Sequence, residues 1–354
     1  MSKRAKAAAV LLAAAAVTGG IVAWHCAAPR QKEPEFVFSY AENQTEDYPT
    51  TLGAQKFAEL VEERTDGRIR ILVQAEGVMG TEHDVIEQMQ YGGIDFARVS
   101  LSQLAEYIPE LNVLQMPYLY TDSAHMWRVL DGGIGDMFLE KVSGNELVGL
   151  SWYDAGARNF YNSRQPISCL EDIEGMKIRV QESEMMADMV EVLGATAVPT
   201  GYADVYSSIE RGIVDGAENN WPSYEAMSHY EVAQYYTVDE HTRVPEMQIC
   251  SEHTWEKLSE EDRQIIRECA WESALYERKL WTEREAESRR IATEHGTQVV
   301  ELSPEEKKRF QNAVMGVYEK YCGDQMDVIE RIIDEGGAAE ENGQQEVYTE
   351  EGTE

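Results

Sequence analysis

The chain has 354 residues and a formal net charge of −34 at pH 7. At roughly 100–200 residues per domain, that length allows two core-forming units. The acidic excess excludes nucleic acid and anionic membrane surfaces as main partners, because both require a positive footprint. Any small anion must be captured by a few local cations acting against an unfavourable overall field.

The first residues, MSKRAKAAAVLLAAAAVTGGIVAWHCAAPRQKEPE, carry a basic start, an apolar run from Ala7 to Trp24 and then a polar, proline-containing stretch. This is the pattern of an export segment, assigned to residues 1–28. The run approaches the length of a membrane span, and Cys26 follows it directly. A cleaved leader, a retained anchor and a lipidated Cys26 are all compatible with it. In each case the body of the protein works outside the cytoplasm. Cys169, Cys250, Cys269 and Cys322 lack paired spacing and read as small buried hydrophobes, so neither a disulfide framework nor a metal site is expected.

From Phe36 the pattern becomes α/β. EFVFSY reads as a strand; Leu52, Phe57, Leu60 and Val61 then mark a helix over residues 50–64, ended by Asp66-Gly67. RIRILVQ alternates as the next strand. TEHDVIEQMQYGG is a helix with Thr81 as N-cap and Gly92 as terminator, and IDFARVS is a further strand. Such alternation implies a mainly parallel sheet covered by helices.

A second α/β unit follows. ELVGLSWYDAGARNFYNS is strand-like and broken at Gly156; MKIRVQ is a strand, and SEMMADMVEVLG and YADVYSSIERG are helices. Residues 259–295 form one long helix with a Ser259/Asp262 cap, no internal glycine or proline, and Gly296 as its stop. At roughly 1.5 Å per residue it extends about 50 Å, far enough to cross both units. A last helix starts at Ser303-Pro304. The acidic tail 335–354 is expected to be disordered. Catalytic signatures are absent from the sequence: no G-x-S-x-G, H-E-x-x-H, P-loop or C-x-x-C occurs, and the glycines of DGGIGDMF read as a turn between helices.

One feature of the second unit stands apart. Arg179 sits in the strand phrase KIRV, where a bland reading makes it the wet face of a half-buried strand. The phrases around it, GMKIRV and LGATAVPTGYADVYSSIERGIVDGAENN, together with GTEHDVIEQMQYGGIDFA and LNVLQMPYLYTD, resemble the extracytoplasmic solute-binding proteins of TRAP (tripartite ATP-independent periplasmic) transporters. The resemblance runs from about Phe36 to about Cys322. It implies a two-lobe, periplasmic-binding-protein-like α/β fold, each lobe a mainly parallel sheet flanked by helices, with hinge strands and the long helix spanning both. On that basis lobe I comprises 36–155 plus 245–283, and lobe II comprises 156–244 plus 284–333.

The resemblance further implies a non-enzymatic receptor, without cofactor or metal, that closes on one small organic acid and delivers it to a TRAP permease in the membrane. The family's ligand arginine falls on Arg179, whose planar fork suits a carboxylate in a way a lysine cannot match. Arg158 matches a second arginine lining the cleft, Asn219 an asparagine touching the acid, and Tyr202 an aromatic position beside it. Glu218 is assigned to hinge hydrogen bonding. Trp221 in ENNWPSY resembles a subgroup associated with uronic and related sugar acids, with Asn220 to meet hydroxyls. His241 is a candidate donor, and Glu42, Asn43, Gln44 and Ser100 occupy loop positions that line the family's cleft. A uronate or related sugar acid is therefore the expected cargo. The alternatives are a C4-dicarboxylate or other carboxylate, or the same fold feeding a membrane sensor kinase.

Overall fold

A computed structural model of the chain describes residues 33–336. The export segment with Cys26, and nearly all of the acidic tail, lie outside the described residues. In chain order the strands are β1 (Phe36–Ala41), β2 (Ile69–Gln74), β3 (Phe96–Ser100), β4 (Leu147–Tyr153) and β5 (Arg158–Asn162). They continue with β6 (Lys177–Val180), β7 (Thr196–Pro199), β8 (Gly216–Asn219), β9 (Tyr235–Thr242), β10 (Glu246–Ser251) and β11 (Gln298–Glu301). Two sheets result, ordered β2-β1-β3-β10-β4 and β11-β9-β5-β8-β6-β7.

Helical crossovers make neighbouring strands parallel. The helix Pro49–Arg64 separates β1 from β2, which pair parallel from Phe36↔Ile69 onward. The helix Glu184–Val192 does the same for β6 and β7. Antiparallel pairing appears where the chain returns from one lobe to the other. β10 enters sheet one after the chain has built most of sheet two, and lies antiparallel between β3 and β4. The chain thus crosses between lobes from β4 to β5 and from β9 to β10.

The helix Glu260–Glu294 is 35 residues long. The Ser259 hydroxyl accepts from the Asp262 amide at its start, and Gly296, with φ +98°, follows its C-terminus. It packs on Pro49–Arg64 and β4 in lobe I and on Trp221–Ala226 in lobe II. At about 1.5 Å per residue it spans both lobes.

The C-terminal segment does not stay within lobe II. Helix Met315–Cys322 packs both on the 3₁₀ segment Pro109–Gln115 of lobe I and on Glu184–Val192 of lobe II. Tyr318 Oη donates to the Pro117 carbonyl at 2.7 Å, and Tyr321 Oη donates to Asp188 Oδ2 at 2.7 Å. Farther on, a His125 ring nitrogen lies 2.6 Å from the Ile332 carbonyl. Residues 315–335 therefore strap the two lobes, and Val328, Ile329 and Ile332 join an apolar core that also holds Leu111 and Met116. Cys250, Cys269 and Cys322 are buried, Cys169 is partly exposed, and all four are free thiols.

Candidate functional site

The C-terminal ends of the lobe I strands and the facing edge of lobe II enclose a cleft of about 350 Å³, within the size range of small-molecule sites. The lobes meet across it. Gln181 Nε2 donates to Ser100 Oγ at 3.0 Å, and the Tyr48 and Ser223 hydroxyls are 2.9 Å apart. Arg179, Arg158, Asn219, Tyr202, Asn43 and Ser100 all line this space.

The cleft contains three arginines, and their hydrogen-bond partners separate their roles. Arg98, in β3, uses all five of its N–H groups on protein oxygens. Nε donates to Glu42 Oε2 at 3.1 Å, and Nη1 to Glu82 Oε1 at 3.0 Å and Glu246 Oε2 at 2.9 Å. Nη2 donates to Glu42 Oε1 and Asn43 Oδ1. Burial disfavours this charge, but the three carboxylates outweigh burial and raise its pKa. Arg158, in β5, is held by Glu218: Nε donates to Oε2, and Nη2 to Oε1 at 2.8 Å and to the carbonyl at 2.9 Å.

Arg179 differs from both. Its Nε and Nη2 donate to the Thr200 carbonyl, Nε at 2.8 Å. Among the described residues its Nη1 group has no protein partner and no carboxylate is paired with it. Burial pulls its pKa below the ordinary guanidinium value. The backbone carbonyl holds the stem of the fork, leaving one of its edges for an anion.

Neutral polar groups complete the wall. Gln44 Oε1, Thr50 Oγ1, Gln181 Oε1, Tyr202 Oη and Trp281 Nε1 are buried and have no protein hydrogen-bond partner among the described residues. Each belongs to a cleft-lining residue. Buried polar atoms are normally satisfied, so five orphans on residues that line one cavity mark a place where a polyhydroxylated molecule could supply partners. Among the described residues, no group of His, Cys, Asp and Glu is placed to hold a metal ion.

Three residues expected in the cleft are elsewhere. Trp221 is the first residue of a helix capped by Asn220, whose Oδ1 accepts from the Ser223 amide at 2.8 Å. That turn sends the indole into the lobe II core, where it stacks on Tyr236 with ring centroids 3.6 Å apart; Asn220 itself lines the cleft. His241 is fully buried behind Glu218, with Nδ1 3.0 Å from Asp239 Oδ2 and Nε2 3.4 Å from Glu218 Oε2. Glu42 spends both oxygens on Arg98 and on the Gln44 amide, which makes it a brace for Arg98.

Sequence reasoning missed Arg98, Glu82, Glu246, Gln181, Tyr48 and Trp281. Arg98 carried the same signal as Arg179, an arginine among apolar residues in a strand. Trp281 carried none, because nothing in a long polar helix says which turn faces a cleft.

The family model described as "Bacterial extracellular solute-binding protein, family 7" matches residues 40–324. A solute-binding protein of Chromohalobacter salexigens is 36% identical over 81% of this chain and 85% of its own. A TRAP periplasmic solute-binding protein from Bradyrhizobium sp. BTAi1, solved with galacturonate, superposes with TM-score 0.82 at 39% identity, covering 84% of this chain and 99% of that one. A second from Chromohalobacter salexigens, solved with D-glucuronate, has TM-score 0.80 and 35% identity, covering 85% and 99%.

Proposed function

Since the chain belongs to the bacterial extracellular solute-binding proteins of family 7, the extracytoplasmic receptors of TRAP transporters, we propose that it captures a uronate between its lobes through Arg179 and presents it to a TRAP permease. The receptor performs no chemistry on the cargo. The observation that carries this reading is the unpaired edge of the Arg179 guanidinium, the only one of the three cleft arginines among the described residues without a carboxylate partner. A carboxylate completes that fork with charge-assisted hydrogen bonds.

Arg158 and Asn219 stand beside it as further contacts, and Tyr202, Asn43 and Ser100 as groups meeting hydroxyls. Relatives support a sugar acid: neighbours solved with galacturonate and with glucuronate share the fold and 35–39% of the sequence.

Thermal unfolding of the purified protein with D-glucuronate, D-galacturonate, D-galactonate and succinate tests the reading. A ligand at a hundredfold excess over its Kd stabilises by about 2.7 kcal/mol, so the uronates should raise the midpoint by several degrees. Arg179→Lys keeps the charge and loses the fork. Its uronate affinity should fall by about tenfold or more, the equivalent of one charged hydrogen bond. No shift with any sugar acid, or full affinity in Arg179→Lys, would sink the proposal.

A further inference from the structure

The opposite wall of the cleft has the reverse chemistry. Around Arg98 stand three carboxylates: Glu42 beyond β1, Glu82 at the start of helix Glu82–Gln90, and Glu246 at the start of β10. Glu42 is saturated, but Glu82 Oε2 and Glu246 Oε1 have no protein partner among the described residues. Both residues line the cleft. Three acids surround one cation whose donors are all spent, so this wall carries surplus negative charge and acceptor oxygens.

We propose that Glu82 and Glu246 form a charge filter at the lobe I end of the cleft, accepting hydrogen bonds from the cargo's hydroxyls and refusing a second carboxylate. The receptor thereby selects sugar acids with one carboxylate over aldarates, which carry one at each end. This rests on the reading of Arg179 as the clamp for the first carboxylate. Like charges set face to face in a site give discrimination by repulsion.

Other charged groups facing the pair are few. Arg158, from β5, acts on Glu246 from across the hinge but is already engaged by Glu218. Glu76, Asp84, Glu182 and Asp204 also line the cleft and add negative charge; Arg179 lies on lobe II. Tyr48 and Tyr202 are the titratable phenols there, both raised by burial and neutral. Burial pushes Glu82 up to about 7 with Glu246 adding to the rise, and burial raises Glu246 as well, with Glu42 adding to it. Glu82 therefore takes up a proton as pH falls through about 7, the upward shift of Glu246 acts in the same direction, and the filter weakens.

The test is calorimetric binding of D-glucuronate and D-glucarate to the wild-type protein at about pH 8 and about pH 5.5, and to Glu82→Gln and Glu246→Gln at about pH 8. Both carboxylates of glucarate are ionised at either pH. The wild type should bind glucarate about 100-fold more weakly than glucuronate at the higher pH. At least one glutamine variant should narrow that gap about tenfold or more, and acidification of the wild type should narrow it too. Equal affinity for the two acids at pH 8 overturns the filter while leaving the uronate reading intact. A gap that neither variant nor acidification changes also overturns it. Failure to bind either acid overturns both. Should the variants not fold, the wild-type pH comparison decides alone.

Discussion

Arg158 and the three charged groups behind it are buried together, and their order gives that arginine its fixed position. Glu218 holds Arg158 from one side and meets His241 from the other, while Asp239 grips the far nitrogen of the imidazole. Burial opposes the charge on Glu218, yet Arg158 and His241 hold its pKa at about 2. Burial likewise opposes the charge on His241, but Asp239 and Glu218 lift it to about 9. The folded value lies above the unfolded one. The stabilisation from charged His241 is therefore complete below about pH 6.5 and lost as pH rises through about 9. Glu218→Gln removes one of the two acids that sustain that charge and leaves Arg158 unpaired. It should destabilise by about 3–5 kcal/mol in denaturant unfolding near neutral pH, and the stability attributable to His241 should fade at lower pH than in the wild type. A difference below about 1 kcal/mol would show that the relay is not what holds Arg158.

Among the elements, the link between β4 and β5 is tightly constrained. Gly156 adopts φ +59°, and a Cβ there would come within 2.7 Å of Glu285 Oε1 and 2.9 Å of Trp281 Nε1. The first interlobe crossing thus lies directly against the long helix, next to an indole that faces the cleft. Gly156→Ala should lower stability by about 1–3 kcal/mol and change the intrinsic fluorescence of Trp281, weakening uronate binding without touching Arg179. A variant with unchanged stability and emission would mean that the crossing is slack. Gly156 was legible in the sequence as a break in a strand. The long helix was legible too, because its cap, its stop and its uninterrupted interior agree. β10 was harder to read: EMQICS is buried on both faces and shows no alternation. Trp221 misled for a related reason. An aromatic beside a binding phrase suggests stacking on a sugar, but direction is set by the helix that Asn220 starts, and helix geometry sends the first residue inward. Residues 315–333 of the strap were assigned to lobe II by their place in the chain, because packing across two lobes leaves no local pattern.

At the scale of the molecule, a receptor with net charge −34 captures an anion. Long-range repulsion and short-range attraction then act at different stages of binding. Approach takes place through water, where the Debye length falls from about 30 Å at 0.01 M salt to about 8 Å at 0.15 M. Within the closed cleft the Arg179 guanidinium is buried, and salt screens buried pairs much less. Adding salt should therefore raise the association rate of D-glucuronate severalfold and leave dissociation nearly unchanged, the reverse of what a steered, oppositely charged pair does. Stopped-flow fluorescence reports this directly, because Trp281 lines the site. An association rate that falls with salt would mean that the arginines dominate the field at the cleft mouth. Capture would then be steered, and the acidic surface would have no influence on cargo entry.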